Sequence, residues 1–226
     1  MSAMDPALVA EGRYRIFFGG AECGEERWRL ERTEGGYLAT GEQVHVAPHP
    51  MPNRHEYRIA LTEDWRAVSI DIHWSVGARH VIATHRAEAE RWHARIEVDG
   101  HGREQQGDYP QLCEVETPTH LSTTFVLAKR DFALAGEHEF PVLRIGPPIM
   151  AVEPARMLFR CVEVGTYETP LGPVKAKRYV LSLPPEPESA GYGFWADEHD
   201  IVLESFEGSE PGRTWMRLEE YRRPLV

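Results

Sequence analysis

Apolar and polar residues alternate along most of this chain with a period of two. Within residues 68–76, Ile70, Ile72 and Trp74 fall on one side and Asp71 and His73 on the other. Tyr57, Ile59 and Leu61 share a side within 56–62, and Trp92, Ala94, Ile96 and Val98 do so within 91–98. Within 26–33, Trp28, Leu30 and Arg32 oppose Arg27, Arg29, Glu31 and Thr33. Such alternation marks antiparallel strands whose sheet has one solvated face. Further strands are predicted over 13–18, 37–46, 79–86, 139–145, 157–168, 174–183, 192–196, 201–207 and 214–222. Gly19-Gly20, Gly35-Gly36, Gly77-Ala78, Asp99-Gly100 and Leu171-Gly172 supply the hairpin turns.

One segment breaks the rhythm. Thr117-Pro118-Thr119 opens an apolar stretch over 121–130 that predicts a single helix. Thr117 suits the cap and Pro118 the first helical position, where a missing N–H costs nothing. Leu121, Phe125 and Ala128 recur at helical spacing, and Lys129 and Arg130 suit the negative C-terminal end. The β-formers Thr123, Thr124, Phe125 and Val126 leave a strand as the competing reading. The proline-rich link 47–53 is read as the end of the first unit. The polar stretch 101–110 is read as an exposed loop, and 184–189 as another.

These elements give a mainly β fold: a large curved antiparallel sheet forming an open or closed β-barrel, with one short helix packed on its concave face. Residues 1–12 are expected to be disordered or extended, and 13–226 to form a single domain, with no division at Gly146-Pro147-Pro148. A length of 226 residues suits one such unit.

The charge narrows the partners. Asp and Glu number 36 against 25 Lys and Arg, a formal net charge of −11. That balance speaks against binding nucleic acid, which needs a basic patch, and against docking on an anionic membrane. No run approaches the length of a membrane-spanning helix, and residues 1–18 lack a secretory pattern. Cys23, Cys113 and Cys161 form no C-x-x-C pair, so reduced, buried thiols in a cytoplasmic protein are expected.

The chemistry-bearing motifs are missing. There is no G-x-S-x-G elbow, phosphate-cradling loop or H-E-x-x-H pair, and no catalytic residue, metal or cofactor is expected. Eleven histidines nevertheless raise a metal reading, in which Asp71, His73 and His93 share the outward face. His80 and His85, five apart on a strand, must face opposite sides. The aromatic residues carry more weight. A helix of about ten residues, rising about 1.5 Å per residue, is too small to cover the hollow of so large a sheet. Either the sheet closes on itself, or apolar surface stays open for a guest. By alternation, Trp28, Ile72, Trp74, Trp92, Phe125 and Trp195 are the candidate ligand-binding residues.

Several stretches carry a likeness to known proteins. They are 56–74 (EYRIALTEDWRAVSIDIHW), 116–130 (ETPTHLSTTFVLAKR), Ala135-Gly136, 168–172 (ETPLG) and 194–197 (FWAD) leading into 201–207. In this order the chain resembles a bacterial glycolipid-binding family and related domains of unknown function akin to Lol-type lipoprotein carriers. The resemblance implies an open or nearly closed barrel with a hydrophobic groove and no catalytic set. The leading reading is therefore noncatalytic binding of a hydrophobic or amphiphilic small molecule, a lipid or glycolipid. The alternatives are a metal-assisted enzyme using the sheet histidines, or an interaction protein that forms a homodimer through a sheet edge.

Overall fold

A computed structural model describes residues 7–184, 191–208 and 213–224. Eight strands form a meander: β1 (Ala7–Phe18), β2 (Ala21–Thr33), β3 (Gly36–His45), β4 (Asn53–Leu61), β5 (Ala67–Val76), β6 (Arg79–Glu88), β7 (Arg91–Val98) and β8 (His101–Asp108). After β9 (Glu114–Glu116) and the helix α1 (Leu121–Leu127) comes a second meander. It comprises β10 (Glu137–Gly146), β11 (Ala151–Thr169), β12 (Gly172–Ser182), β13 (Tyr192–Asp197), β14 (Val202–Glu207) and β15 (Thr214–Arg222). All fifteen strands belong to one sheet, ordered β8-β7-β6-β5-β4-β3-β2-β1-β15-β14-β13-β12-β11-β10-β9. Its ends, β8 and β9, do not pair with each other, so the sheet is curved but not closed.

The alternation seen in the sequence produces this sheet directly. Ile70, Ile72 and Trp74 of β5 are buried while His73 is exposed, and Trp92, Ala94 and Ile96 of β7 are buried. Several boundaries differ from the sequence reading. Strand β1 begins at Ala7, six residues before the expected start at Arg13, because its first half pairs with β2. The proline-rich link does not end a unit, since β3 and β4 pair on either side of it. The stretch 101–110 is not a loop over 101–108. It is β8, paired along its whole length with β7, and as an outer strand it needs no apolar face. Of the expected loop 184–189, residues 185–189 lie outside those described.

The helix has a topological reason. Every strand pair is antiparallel except β9 and β10, which run parallel. Parallel neighbours need a crossover, and α1 is that crossover. It is shorter than the predicted 121–130, and Thr117 does not cap it. The cap residue is His120, which makes no side-chain cap bond, and the Thr117 hydroxyl has no partner. The first-turn donors find buried acceptors instead. The Leu121 N–H donates to Thr119 Oγ1 at 3.2 Å, and the His120 N–H bonds to the Glu26 carboxylate. Glu26, fully buried, also accepts from the Tyr57 hydroxyl at 2.7 Å, from Gln43 Nε2 at 3.1 Å and from the Thr119 hydroxyl. Gly41 makes room for this cluster, because a Cβ there would collide with the Tyr57 ring and hydroxyl. At the far end the chain turns at Ala128. Lys129 Nζ and Arg130 Nη1 then reach the buried Glu114 carboxylate at 2.5 and 2.6 Å. An acid thus sits at the positive end of α1, and cations follow its negative end.

All seven helical residues are buried. Leu121 and Phe125 pack with Tyr14, Trp28, Ile59, Ile72 and Trp74 from the first meander. Val126 and Leu127 pack with Phe140, Phe159, Tyr179 and Phe194 from the second. Burial of each large side chain stabilises by roughly 1.5–3 kcal/mol, so the helix is a wedge shared by both walls. Trp65, in the turn before β5, adds a ring stacked on Phe125 at 6.1 Å.

An apolar slot between the two ends of the sheet

Strands β9 and β10 are buried or half-buried on both faces where they pair, and Glu137–Glu139 at the start of β10 are exposed. Glu114 and Val142 lie opposite each other in register and serve the helix side. The next pair, Val115 and Leu143, turns the other way and meets the wall formed by β5, β6 and β7. Between these surfaces is a narrow slot of about 30 Å³. Ala67, Ile70, His85 and Trp92 line one side, and Val115, Leu143, Ile145 and Val152 the other, with Tyr109 among them. A side-chain bond joins the two ends of the sheet here, in which the Val152 N–H donates to Gln105 Oε1 at 3.1 Å.

Local sequence explains each wall. His85 shares strand parity with the buried Val81 and Ala83, so it points inward while His80 is exposed. Trp92 lies flat because residue 107 across the ladder is glycine; a Cβ there would stand 2.9 Å from Trp92 Nε1. Tyr109 is held by its backbone. Its N–H donates to the Glu90 carbonyl at 2.7 Å, and its carbonyl accepts from Arg66 Nη2 at 2.6 Å. The Arg66 guanidinium lies 4.2 Å over the Tyr109 ring.

The slot's polar atoms are unsatisfied. His85 is only 5 % exposed, and neither ring nitrogen has a hydrogen-bond partner. The buried Tyr109 hydroxyl likewise makes no bond of proper geometry, although Arg66 is close. These polar atoms are covered by their neighbours and present no accessible surface to the slot, whose exposed wall is apolar. Burial lowers the His85 pKa to about 4, with Asp71 raising it and Arg86 lowering it further, so the imidazole is neutral at pH 7. Arg86 is the one charged lining residue, and it is tied to Asp71 at 2.8 Å.

Solved structures similar to this chain include two β-rich proteins. One is a DUF1849 β-barrel-like protein of unknown function from Brucella abortus, with a TM-score of 0.58, 8% identity and coverage of 98% of each chain. The other is a DUF1089 family protein from Pseudomonas aeruginosa, with a TM-score of 0.55 and 14% identity, covering 79% of this chain and 87% of that one. At such identities the likeness is one of fold: a β-barrel-like antiparallel sheet. No family profile matches the chain, and no curated protein matches it by sequence.

The six residues expected at the ligand site are all buried in one contiguous cluster, and Trp92 is the one that lines the slot. Phe125 belongs to the helix itself, and Trp28, Ile72 and Trp74 lie in the cluster that it joins. Trp74 also donates from Nε1 to Asn53 Oδ1 at 3.2 Å. Trp195 faces away from its neighbour Phe194 and stacks on Tyr167 at 4.7 Å.

The metal set does not form. His93 pairs with Arg86 and, through it, lies level with Ser69, which puts it four residues along the sheet from His73. That offset is about 13 Å at about 3.3 Å per residue. Asp71 is meanwhile engaged by Arg86. Among the described residues no three His, Cys, Asp or Glu side chains converge as metal ligands. All three cysteines are free and buried. No helix is long and apolar enough to cross a membrane among the described residues.

Sequence reasoning passed over Glu26, His85 and Tyr109. For the first two a signal was present, since Glu26 shares parity with Trp28 and Leu30, and His85 with Val81 and Ala83. Tyr109 follows a wholly polar stretch and carried none.

Proposed function

We propose that the protein binds a hydrophobic or amphiphilic small molecule, of the lipid or glycolipid kind, in the slot between the ends of its sheet, without transforming it. The observation that carries this reading is the apolar slot left between the two ends of an unclosed sheet. Affinity comes from apolar area removed from water, at roughly 25 cal/mol per Å². Residues 67–70 of β5 and 85–87 of β6 contribute most of one side, with Trp92 of β7 beside them.

Intrinsic tryptophan fluorescence supplies the test, because Trp92 lines the cavity. Titration with a medium-chain amphiphile is expected to shift the emission saturably. Val115→Phe, which fills the slot from β9, abolishes the response while the variant stays folded. Native mass spectrometry of protein from its own host then identifies the retained molecule. A flat titration in the wild type, or an unchanged response in Val115→Phe, sinks the proposal.

A further inference from the structure

The two ends of the sheet are finished differently. β9 is three residues long, and Pro141 on β10 stands just before the stretch that it pairs. Short strands and prolines blunt an edge against further pairing. β8 has neither defence. It runs for eight residues with no proline and no lysine, and its ladder with β7 is free of bulges. Among the described residues no strand pairs with its far side.

The direction of its backbone groups follows from the hairpin. The Tyr109 N–H donates to the Glu90 carbonyl at 2.7 Å, in line with the β7–β8 ladder. Antiparallel bonding alternates, so the odd residues of β8 bond to β7, and the amides and carbonyls of Gly102, Glu104, Gln106 and Asp108 point away from it. All four residues are exposed.

We infer that β8 is the interface of a homodimer, paired antiparallel with β8 of a second copy about a two-fold axis at Gln105, so that the two sheets join as one. Charge selects both the occupant and the register. Outward-facing residues must meet one another, which places the axis on a residue and not between two. With the axis at Gln105, Glu104 faces Gln106 and Gly102 faces Asp108, each twice by symmetry. The Gln106 carboxamide can then donate to the Glu104 carboxylate. On the other face of the ribbon Arg103 falls opposite Gly107, where no side chain obstructs it. No like charges are opposed. Moving the axis to residue 103, 104 or 106 sets Arg103 against itself, Glu104 against itself, or Glu104 against Asp108. Like charges directly opposite are destabilising, and larger shifts leave few residues paired. The strand therefore complements itself in one register, as a closed two-fold contact requires.

Sedimentation equilibrium of the full chain at pH 7.5, from about 1 to about 200 µM, is expected to show a reversible dimer. Gln106→Pro removes an outward N–H that takes no part in the β7 ladder, and should give a monomer with an unchanged unfolding midpoint. Gln106→Lys sets a cation against Glu104 at both symmetric positions and should tighten the dimer on the order of fivefold; Gln106→Glu should weaken it by a similar factor. The charge variants decide the matter even if the proline variant does not fold. Gln105→Cys reads the register directly. Across the axis the two Cβ atoms stand about 4.5–5.5 Å apart, close enough for a disulfide to form with little adjustment, so mild oxidation should give a covalent dimer. The native cysteines are buried and should give none. A wild-type chain that stays monomeric throughout overturns the inference and leaves the edge to a different partner. A dimer that ignores both charge variants overturns it too.

Discussion

The Tyr57 hydroxyl donates to the Glu26 carboxylate at 2.7 Å in a place no water reaches, linking β4 to β2 beneath the entry to the helix. The same carboxylate receives Gln43, the Thr119 hydroxyl and the His120 N–H. Removing it strands all of them. Glu26→Leu is expected to destabilise the fold by about 4 kcal/mol, at about 1–3 kcal/mol per stranded donor. Urea denaturation measures this, and a loss below about 1 kcal/mol would show that the cluster rearranges freely.

Glu114 plays the corresponding part beyond the helix. Breaking a buried ion pair from one side leaves an uncompensated charge, at a cost of about 3–5 kcal/mol. Here the cations are partly solvated, so Glu114→Ala should cost about 3 kcal/mol. Lys129→Met should cost less than about 1 kcal/mol, because Arg130 remains on Glu114. Equal losses in the two variants would show that Glu114 is not shared as described.

Gly107 holds Trp92 in place by having no side chain. Gly107→Val should push the indole toward the slot and cost about 1–3 kcal/mol, as overpacking does. The readout is double: a lowered unfolding midpoint and a weaker tryptophan response to amphiphile. A variant of wild-type stability and wild-type response would remove Gly107 from the account.

Four histidines set the acid limit. Burial is the leading cause of depressed pKa values in His45, His55 and His85, each to about 4, and in His120, to about 3. The folded state binds fewer protons than the unfolded chain between those values and the ordinary 6.5, so stability rises with pH across that window. It is complete above about pH 6.5 and drains away as pH falls toward 4, on the order of several kcal/mol in sum. Asp200, raised to about 6 mainly by burial, acts in the opposite sense, as does Glu26, raised by burial against the pull of its donors. Each binds a proton more readily when folded and so offsets part of the loss. His120→Gln keeps a partner for Ser205, now 2.8 Å from His120 Nε2, and should flatten the acid limb. Denaturation midpoints from pH 4 to 7.5 decide the matter; an unchanged slope removes His120 from the account.

The sheet was legible because alternation is a property of single strands. Ile70, Ile72 and Trp74 declare their inner face without reference to any neighbour. What the sequence could not show were consequences of pairing distant strands. Polar β8 reads as loop until β7 is placed beside it. Thr117 looks like the helix cap because nothing nearby announces that Glu26, more than ninety residues earlier, takes the donors instead. The slot was hidden for the same reason. Its existence depends on which strands end the sheet, and the pairing of β9 with β10 decides that. Of the six positions that alternation singled out, Trp92 lines the slot, Phe125 belongs to the helix, and Trp28, Ile72, Trp74 and Trp195 lie elsewhere in the same buried cluster.

The pairing of β1 with β15 bears on how such a chain reaches its final form. Arg13 and Glu220 bond directly across 207 positions, whereas within each meander a strand pairs with the one that follows it. Each meander can assemble as soon as its own residues leave the ribosome, but the first strand must wait for the last to be made. Throughout that interval its outer rim of amides and carbonyls stays bare, ready to recruit another nascent chain. Glu11, Arg13 and Arg15 give the unfinished molecule a charged border during the wait.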